Sequence, residues 1–375
     1  MKINEFKLER YFALYEFTAK YLLSPSDCES LTMGELLAKA DPESLELWRD
    51  LKLGYTESRG HPILREEIAK LYKHANADQV ITVVPEEGIF LTMHALLEAD
   101  DHVIIIEPAY QSLVEIPRSL GCSVTRWPVE EKDGQWHLDP ESLRKQVETK
   151  TKMIIVNFPH NPTGYLPRPE DFNSIIEIAR QHNLYLFSDE MYWLLEHQEG
   201  TRLTAAADIY EKGISLFGLS KTFSLPGLRI GWLVSQEEEL LEKIVVLKDY
   251  TTICGSAPAE ILAIMALRQR EGILKTNKER IEANLAAARA FFTKRSQLFT
   301  WLEPQGGSTA FVRLNPKYPV EELCHRIVSD MSIMIIPGTI FDYEGNYFRI
   351  GLGRDNFPKI LSELEEYFDR LKKLI

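Results

Sequence analysis

Three segments decide the fold: MIIVNFPHNPTG (residues 153–164), LYLFSDEMY (184–192) and ISLFGLSK (214–221). Each opens on a short apolar, partly β-branched run and then breaks into polar residues. Such runs lack the alternation of a half-exposed strand, so they read as strands buried on both faces of a mostly parallel sheet. Working outward, comparable runs stand at Val80–Val84, Val103–Ile106, Ser123–Trp127 and Arg229–Val234, with helical patterns between them such as Asp171–His182. Strands alternating with helices predict an α/β fold, a mostly parallel central sheet flanked by helices. After Pro258 the texture changes. Helical patterns at Ala259–Arg270 and Glu279–Arg295 precede a strand-like Ser308–Arg313, a helix from Val320 to Asp330, strands near Ile333–Ile336 and at Tyr347–Leu352, and a last helix from Phe357. This predicts a smaller α+β domain. The expected division is a large domain over 50–257 and a small one built from both chain ends, 1–49 and 258–375. At the N-terminus Leu8, Tyr11, Phe12, Tyr15, Ala19 and Leu22 form a helical stripe, expected to pack on the core or to reach over a partner subunit or an active site.

The chain has 375 residues, 45% hydrophobic, and its 43 Lys+Arg against 56 Asp+Glu give a net charge of −13. A net acidic surface repels phosphate backbones and anionic lipid, so neither nucleic acid nor a membrane is an expected partner. No apolar run approaches the roughly 20 residues that span a bilayer, and the mixed-charge start Met1–Arg10 is not a secretory signal. Cys28, Cys122, Cys254 and Cys324 lie far apart and lack zinc or redox spacing, so they read as reduced thiols of a cytoplasmic protein without a metal centre.

In an open parallel sheet, ligands bind where the carboxyl ends of the strands meet their loops. There the chain places Glu107-Pro108-Ala109-Tyr110, Asn157 through Gly164, Ser188-Asp189-Glu190-Met191-Tyr192 and Gly218-Leu219-Ser220-Lys221. An aromatic ring, an amide, a carboxylate with a phenol and an amine therefore converge on one rim. A lysine at the end of an apolar strand is a candidate Schiff-base former, because partial desolvation frees its amine. The matching cofactor is pyridoxal phosphate, whose pyridine nitrogen needs a carboxylate, here Asp189, and whose phosphate suits Arg229 after the Leu225-Pro226-Gly227 turn. No GxGxxG follows the first strand, so a dinucleotide site is unsupported.

Asn161-Pro162-Thr163-Gly164, Asp189-Glu190-Met191-Tyr192, Ser220-Lys221 through Gly227-Leu228-Arg229-Ile230-Gly231, and Phe348-Arg349-Ile350-Gly351 resemble, in order and spacing, the class I/II aminotransferases of the fold-type I pyridoxal-phosphate enzymes. Tyr55 with Gly60, Leu64 and Arg65 looks like that family's upstream segment. The resemblance implies that Lys221 binds the cofactor as a Schiff base and shuttles the proton, that Asp189 holds the ring nitrogen protonated, and that Asn161 and Tyr192 bond the phenolic oxygen. It further implies that Tyr110 stacks on the ring, that Arg229 and Tyr55 of a neighbouring subunit bind the phosphate, and that Arg349 clamps the substrate α-carboxylate. A homodimer with shared active sites, acting on an α-amino acid and a 2-oxo acid, follows from the same resemblance. A lyase or cyclase of the same fold is the alternative outcome. Taken singly, the residues also have structural readings: Asp189 as a helix cap, Asn161 as a turn residue, Tyr110 and Tyr192 as packing, Lys221 and Arg229 as surface charges, Arg349 as an ion-pair partner.

Two departures concern the phosphate. A serine is common three residues before the lysine, yet Gly218 stands there, with Ser220 as a possible substitute. The helix that would open on the phosphate starts Val84-Pro85-Glu86-Glu87-Gly88, so the backbone N–H groups of Glu86 and Glu87 are candidates for the anion while their carboxylates are expected to point outward. The segment Lys248-Asp249-Tyr250-Thr251-Thr252, expected to approach the site from the partner, offers no Arg for a second substrate carboxylate, which disfavours aspartate.

Overall fold

The computed structural model describes residues 2–315 and 318–371. The elements up to the middle of the chain are α1 (Lys7–Tyr15), β1 (Tyr21–Leu22), α2 (Met33–Ala38), α3 (Pro42–Arg49), α4 (Pro62–Ala69), β2 (Val80–Val83), α5 (Pro85–Leu96), β3 (His102–Glu107), α6 (Gln111–Leu120), β4 (Ser123–Pro128), the hairpin β5 (Glu130–Lys132) and β6 (Gln135–His137), α7 (Pro140–Gln146), β7 (Thr151–Asn157), α8 (Pro169–Gln181), β8 (Tyr185–Asp189) and α9 (Ala206–Ile209). Then come β9 (Gly213–Gly218), β10 (Gly231–Ser235), α10 (Glu238–Lys248), α11 (Ala257–Arg268), α12 (Arg270–Lys294), β11 (Phe299–Thr300), β12 (Thr309–Leu314), α13 (Val320–Met331), β13 (Ile333–Met334), β14 (Ile336–Pro337), β15 (Tyr347–Gly351) and α14 (Phe357–Leu371).

The main sheet has the order β2-β10-β9-β8-β7-β3-β4. Pairs β3–β4, β3–β7, β7–β8 and β8–β9 are parallel, and β10 runs antiparallel between β2 and β9. The apolar runs are explained by the two faces. Ile104, Ile106, Ile154 and Val156 pack against Phe172, Ile175, Ile176 and Ile178 of α8, while their alternates Val103, Ile105, Met153 and Ile155 pack against Ile89 of α5 and Leu113 and Ile116 of α6. The last strand begins at Gly231 and not at the expected Arg229, because Arg229 takes a left-handed conformation (φ 55°) after the short helical turn Pro226–Leu228.

The smaller sheet, β11-β12-β15-β14, is antiparallel, and its core gathers Phe291, Phe292, Phe299, Phe348 and Leu364 from α12, the sheet and α14. β1 pairs in parallel with β13, Tyr21 opposite Ile333. That pairing ends the N-terminal stripe early: α1 stops at Tyr15, the Thr18 hydroxyl donates to Leu14 O at 2.9 Å, and Leu22 lies in a strand. Leu36 of α2 and Leu47 and Trp48 of α3 pack with Leu64 and Ile68 of α4 and Ile261 and Leu262 of α11 beside the large sheet. Among the described residues no helix is long and apolar enough to cross a membrane, and all four cysteines are free.

Candidate active site

Because β3, β7, β8 and β9 run the same way, their following loops share one rim. Lys221, three residues past β9, is partly exposed, and its Nζ donates to Ser26 Oγ at 3.0 Å. Burial of the amine pulls its pKa below that of an ordinary lysine; the charges of Arg349 and Arg229 add to this, and those of Asp27 and Glu9 oppose it. Asp189 closes β8 and is 6% exposed. Its Oδ1 accepts the Met191 N–H at 3.1 Å, and burial pushes the carboxyl up to about 7 in spite of Lys221. Only a turn follows, so the helix-cap reading does not apply. Tyr192, in that turn, is buried with its phenol against Ser26, and desolvation raises its pKa.

Asn161 is fixed at both ends. Its N–H donates to Asn157 Oδ1 at 2.8 Å, its Oδ1 accepts from Arg349 Nη1 at 3.0 Å, and Asn157 Nδ2 in turn donates to Asp189 O at 2.8 Å. His160, buried beside it, bridges Thr163 Oγ1 and Pro108 O at 2.7 Å each, and burial lowers its pKa to about 4. As a neutral ring it ties the Asn161 loop to the loop that carries Tyr110. Tyr110 stands at the start of α6, its ring 5.1 Å from that of Phe6 and its hydroxyl donating to Glu9 Oε1 at 3.4 Å.

Arg349, on β15, is 1% exposed. Besides Asn161 it reaches Ser24 O at 2.9 Å and lies 5.2 Å over the Phe341 ring, while Nε has no partner. No carboxylate lies within ion-pair distance of it among the described residues, so it is not a structural ion pair. A buried guanidinium without an anion is costly, and burial accordingly lowers its pKa. Both facts favour an anionic ligand.

At the expected phosphate end, Ser220 Oγ is buried without a hydrogen-bond partner. Gly218 is forced: a Cβ there would lie 2.9 Å from Gly231 Cα and 3.3 Å from Pro85 Cγ, and one on Gly231 would lie 2.8 Å from the same proline carbon. Pro85 thus fills the space that a serine side chain would need. The outward placement expected for the two glutamates is corrected. Glu87 Oε1 accepts from Thr252 at 2.7 Å, Oε2 lies 3.6 Å from the buried Lys248 Nζ, and Thr251 is bonded too. Glu86 accepts from Ser112 at 3.3 Å, and burial raises it to about 7, with Glu9 and Asp189 adding to the shift and Arg229 opposing. Arg229 is exposed, donates to Pro226 O at 3.1 Å and has its charge within reach of Lys221 and Glu86. Tyr55, 92% exposed, is the one candidate that the chain does not bring to its own rim. An amine, an acid kept from water and donors with unspent hydrogen bonds fit a group bearing an aldehyde, a ring nitrogen and a phosphate.

Three residues at this rim escape sequence reasoning. Ser24, Ser26 and Glu9 come from the N-terminal segment, which carries no motif. Asn157, expected on the rim as the polar residue that follows an apolar strand, is there and joins Asn161 to Asp189.

Comparison with known proteins agrees with the geometry. The family described as aminotransferase class I and II matches residues 37–356. Capreomycidine synthase of Streptomyces vinaceus is 28% identical over 93% of this chain and 88% of its own. The solved structure of a PLP-dependent aminotransferase from Streptococcus suis 89-1591 superposes with a TM-score of 0.92 at 31% identity, covering 99% of both chains. That of the PLP-dependent cyclase OrfR gives 0.88 at 27%, covering 99% of this chain and 98% of its own. A match over most of its length, on a rim whose residues suit that cofactor, means that the chain belongs to the class I and II aminotransferase family of pyridoxal-phosphate-dependent enzymes.

Proposed function

We propose that the protein is an aminotransferase that moves the amino group of an α-amino acid to a 2-oxo acid, working as a cytoplasmic homodimer. The observation that carries this reading is the meeting of Lys221, Asp189 and a buried Arg349 that lacks a carboxylate on one rim. Pyridoxal phosphate supplies an aldehyde that condenses with amines and a ring that takes up the electron pair left when the α-proton departs. Lys221 would hold it, Asp189 would serve the ring nitrogen, and Asn161 and Tyr192 would hydrogen-bond the phenolic oxygen. Ser220, Arg229, the N–H groups of Glu86 and Glu87, and Tyr55 of a second copy would receive the phosphate, and Tyr110 would cover the ring.

Burial shifts Lys221 toward its free amine, the form in which Nζ can accept the proton from the substrate α-carbon. Ser26 Oγ, 3.0 Å away, orients that amine. Arg349, already held by Asn161 and Ser24, binds the α-carboxylate and turns the α-proton toward Lys221. Purified holoenzyme is expected to show a near-visible absorbance band that shifts with amino acids, and Lys221→Ala to lose both the shift and turnover. Retained turnover in that variant would place the reactive amine elsewhere.

A second reading, a lyase or cyclase, is favoured by the likeness to capreomycidine synthase and OrfR. The same residues would remove the α-proton, with a different bond breaking next. An added 2-oxo acid aminated in step with keto-acid formation marks transfer; released ammonia, a side-chain fragment or a ring-closed product marks the alternative.

A further inference from the structure

Resting on that reading of the site, we propose that Asn277 and Asn284 of α12 are positioning residues for the reaction: one face of this helix fixes Lys221 relative to Arg349 without touching either. Both asparagines are sealed from water, at 2% and 3% exposure, on a helix whose other buried residues are apolar. Asn277 Nδ2 donates to Thr222 O at 3.0 Å, and its Oδ1 accepts from Ser224 Oγ at 3.0 Å. It thereby closes the turn that follows Lys221, in which Ser224 is held at φ 61°. Asn284 Nδ2 donates to Leu352 O at 2.9 Å and to Arg354 O at 2.8 Å, on the segment into which the strand of Arg349 runs. Between the two, Arg280 donates to Asn277 Oδ1 at 2.9 Å and to Asp355 of that same segment.

Positions 277, 280 and 284 follow the i, i+3, i+7 spacing of one helix face, and that spacing covers about 10 Å along the axis. The helix is unbroken over this stretch, with Ile273 in the core beside the large sheet and Ile281 and Leu285 in the core of the small one, so it serves as a stiff spacer between the two. Both held segments are tied onward into the site. Thr222 Oγ1 donates to Trp193 O at 2.8 Å, next to Tyr192. Leu352 N–H donates to Ser308 O at 2.8 Å, and Ser308 Oγ donates at 2.6 Å to the backbone oxygen of Ser26, whose hydroxyl meets Lys221. A buried amide carries a desolvation cost that leucine does not, and here the donors of both amides go to the segments that follow Lys221 and Arg349. In the proposed reaction Arg349 holds the α-carboxylate while Lys221 takes the α-proton, so the distance between those segments sets how closely the proton approaches the amine. A misplacement of about 1 Å costs on the order of 100-fold in rate.

The test uses the holoenzyme, the common L-amino acid that shifts the wild-type absorbance band most, its 2-deuterated form, and its α-methyl analogue, which has no α-proton to give up. Asn277→Leu is expected to lower kcat about tenfold or more, with a deuterium isotope effect at or above that of the wild type, and to leave the affinity for the α-methyl analogue within about twofold. Asn284→Leu, on the side of the clamp, is expected to weaken that affinity about tenfold. Ile281→Val thins the core under the same helix and controls for stability: it should lower the melting temperature and leave kcat, isotope effect and affinity near the wild type. Ser224→Ala, which removes a partner of Asn277 while leaving α12 intact, and Asn284→Ser give smaller changes in the same directions should a leucine variant not fold. A fall in kcat with a reduced isotope effect, or losses no larger than those of Ile281→Val, would overturn the proposal. If the wild-type band answers amino acids while the asparagine variants behave like Ile281→Val, only this inference falls. A band that answers no amino acid removes the reading beneath it as well.

Discussion

At the residue scale the acid Asp189 is the most informative group, because its environment is set up for a partner that the chain does not supply. Burial raises its folded-state carboxyl from 3.8 to about 7. In the cofactor-free protein it therefore stays protonated between about pH 4 and 7 while the unfolded chain has released its proton. A raised carboxyl contributes stability that is complete below pH 4 and is lost as the pH rises through 7. Asn, isosteric and uncharged, has no such loss. Urea unfolding of the cofactor-free protein at pH 5 and pH 8 should show the wild type losing about 2–3 kcal/mol more than Asp189→Asn. Parallel pH slopes would mean that the carboxyl is already paired. With a protonated ring nitrogen beside it, the carboxylate gains its counterion and the difference between the two proteins should shrink.

At the element scale the site depends on the segment between β1 and α2. Ser24 O holds Arg349, Ser26 Oγ holds Lys221, and Gly351 N–H donates to Leu23 O at 2.7 Å. A Cβ on Gly351 would stand 1.8 Å from Pro25 O. Gly351→Ala should therefore push the segment off β15, destabilise the protein by on the order of 3 kcal/mol and raise KM by freeing Arg349. Thermal melts and steady-state kinetics check both, and an unaltered KM would show that the serines do not position the clamp. The same segment explains what was legible in the sequence. Lys221, Asp189, Tyr192 and Asn161 follow apolar strands, so periodicity alone places them on one rim. Ser24 and Ser26 sit in a loop without periodicity, and their role comes from a tertiary contact with the far end of the chain. The glutamates of α5 were misjudged for a related reason: helix geometry sets where they start, but Lys248, Thr251 and Thr252, more than 160 positions away, decide where Glu87 points.

At the scale of the whole molecule, the −13 charge hides a local pattern: Lys221, Arg229 and Arg349 act on one another at one rim of a net acidic chain. Leu53 at 85%, Tyr55 at 92% and Tyr250 at 87% exposure are costly to leave in water, and the Thr56–Glu260 bond places the Tyr55 turn beside the loop after Tyr250. A second copy covering them would complete the phosphate end with Tyr55. Sedimentation velocity should therefore give twice the chain mass, and Tyr250→Glu should shift it toward the single chain while weakening cofactor retention; a wild type that sediments as one chain would remove Tyr55 from the site.

The pairing of β1 with β13, and of Leu23 and Ser24 with β15, also fixes an order of assembly. Every strand of the main sheet, and Lys221 with it, has been synthesised by residue 235, whereas the partners that seat the N-terminal segment appear only between residues 333 and 351. A nascent chain thus holds Asn161, Asp189 and Lys221 well before it holds Arg349, the residue that joins Asn161 to Ser24.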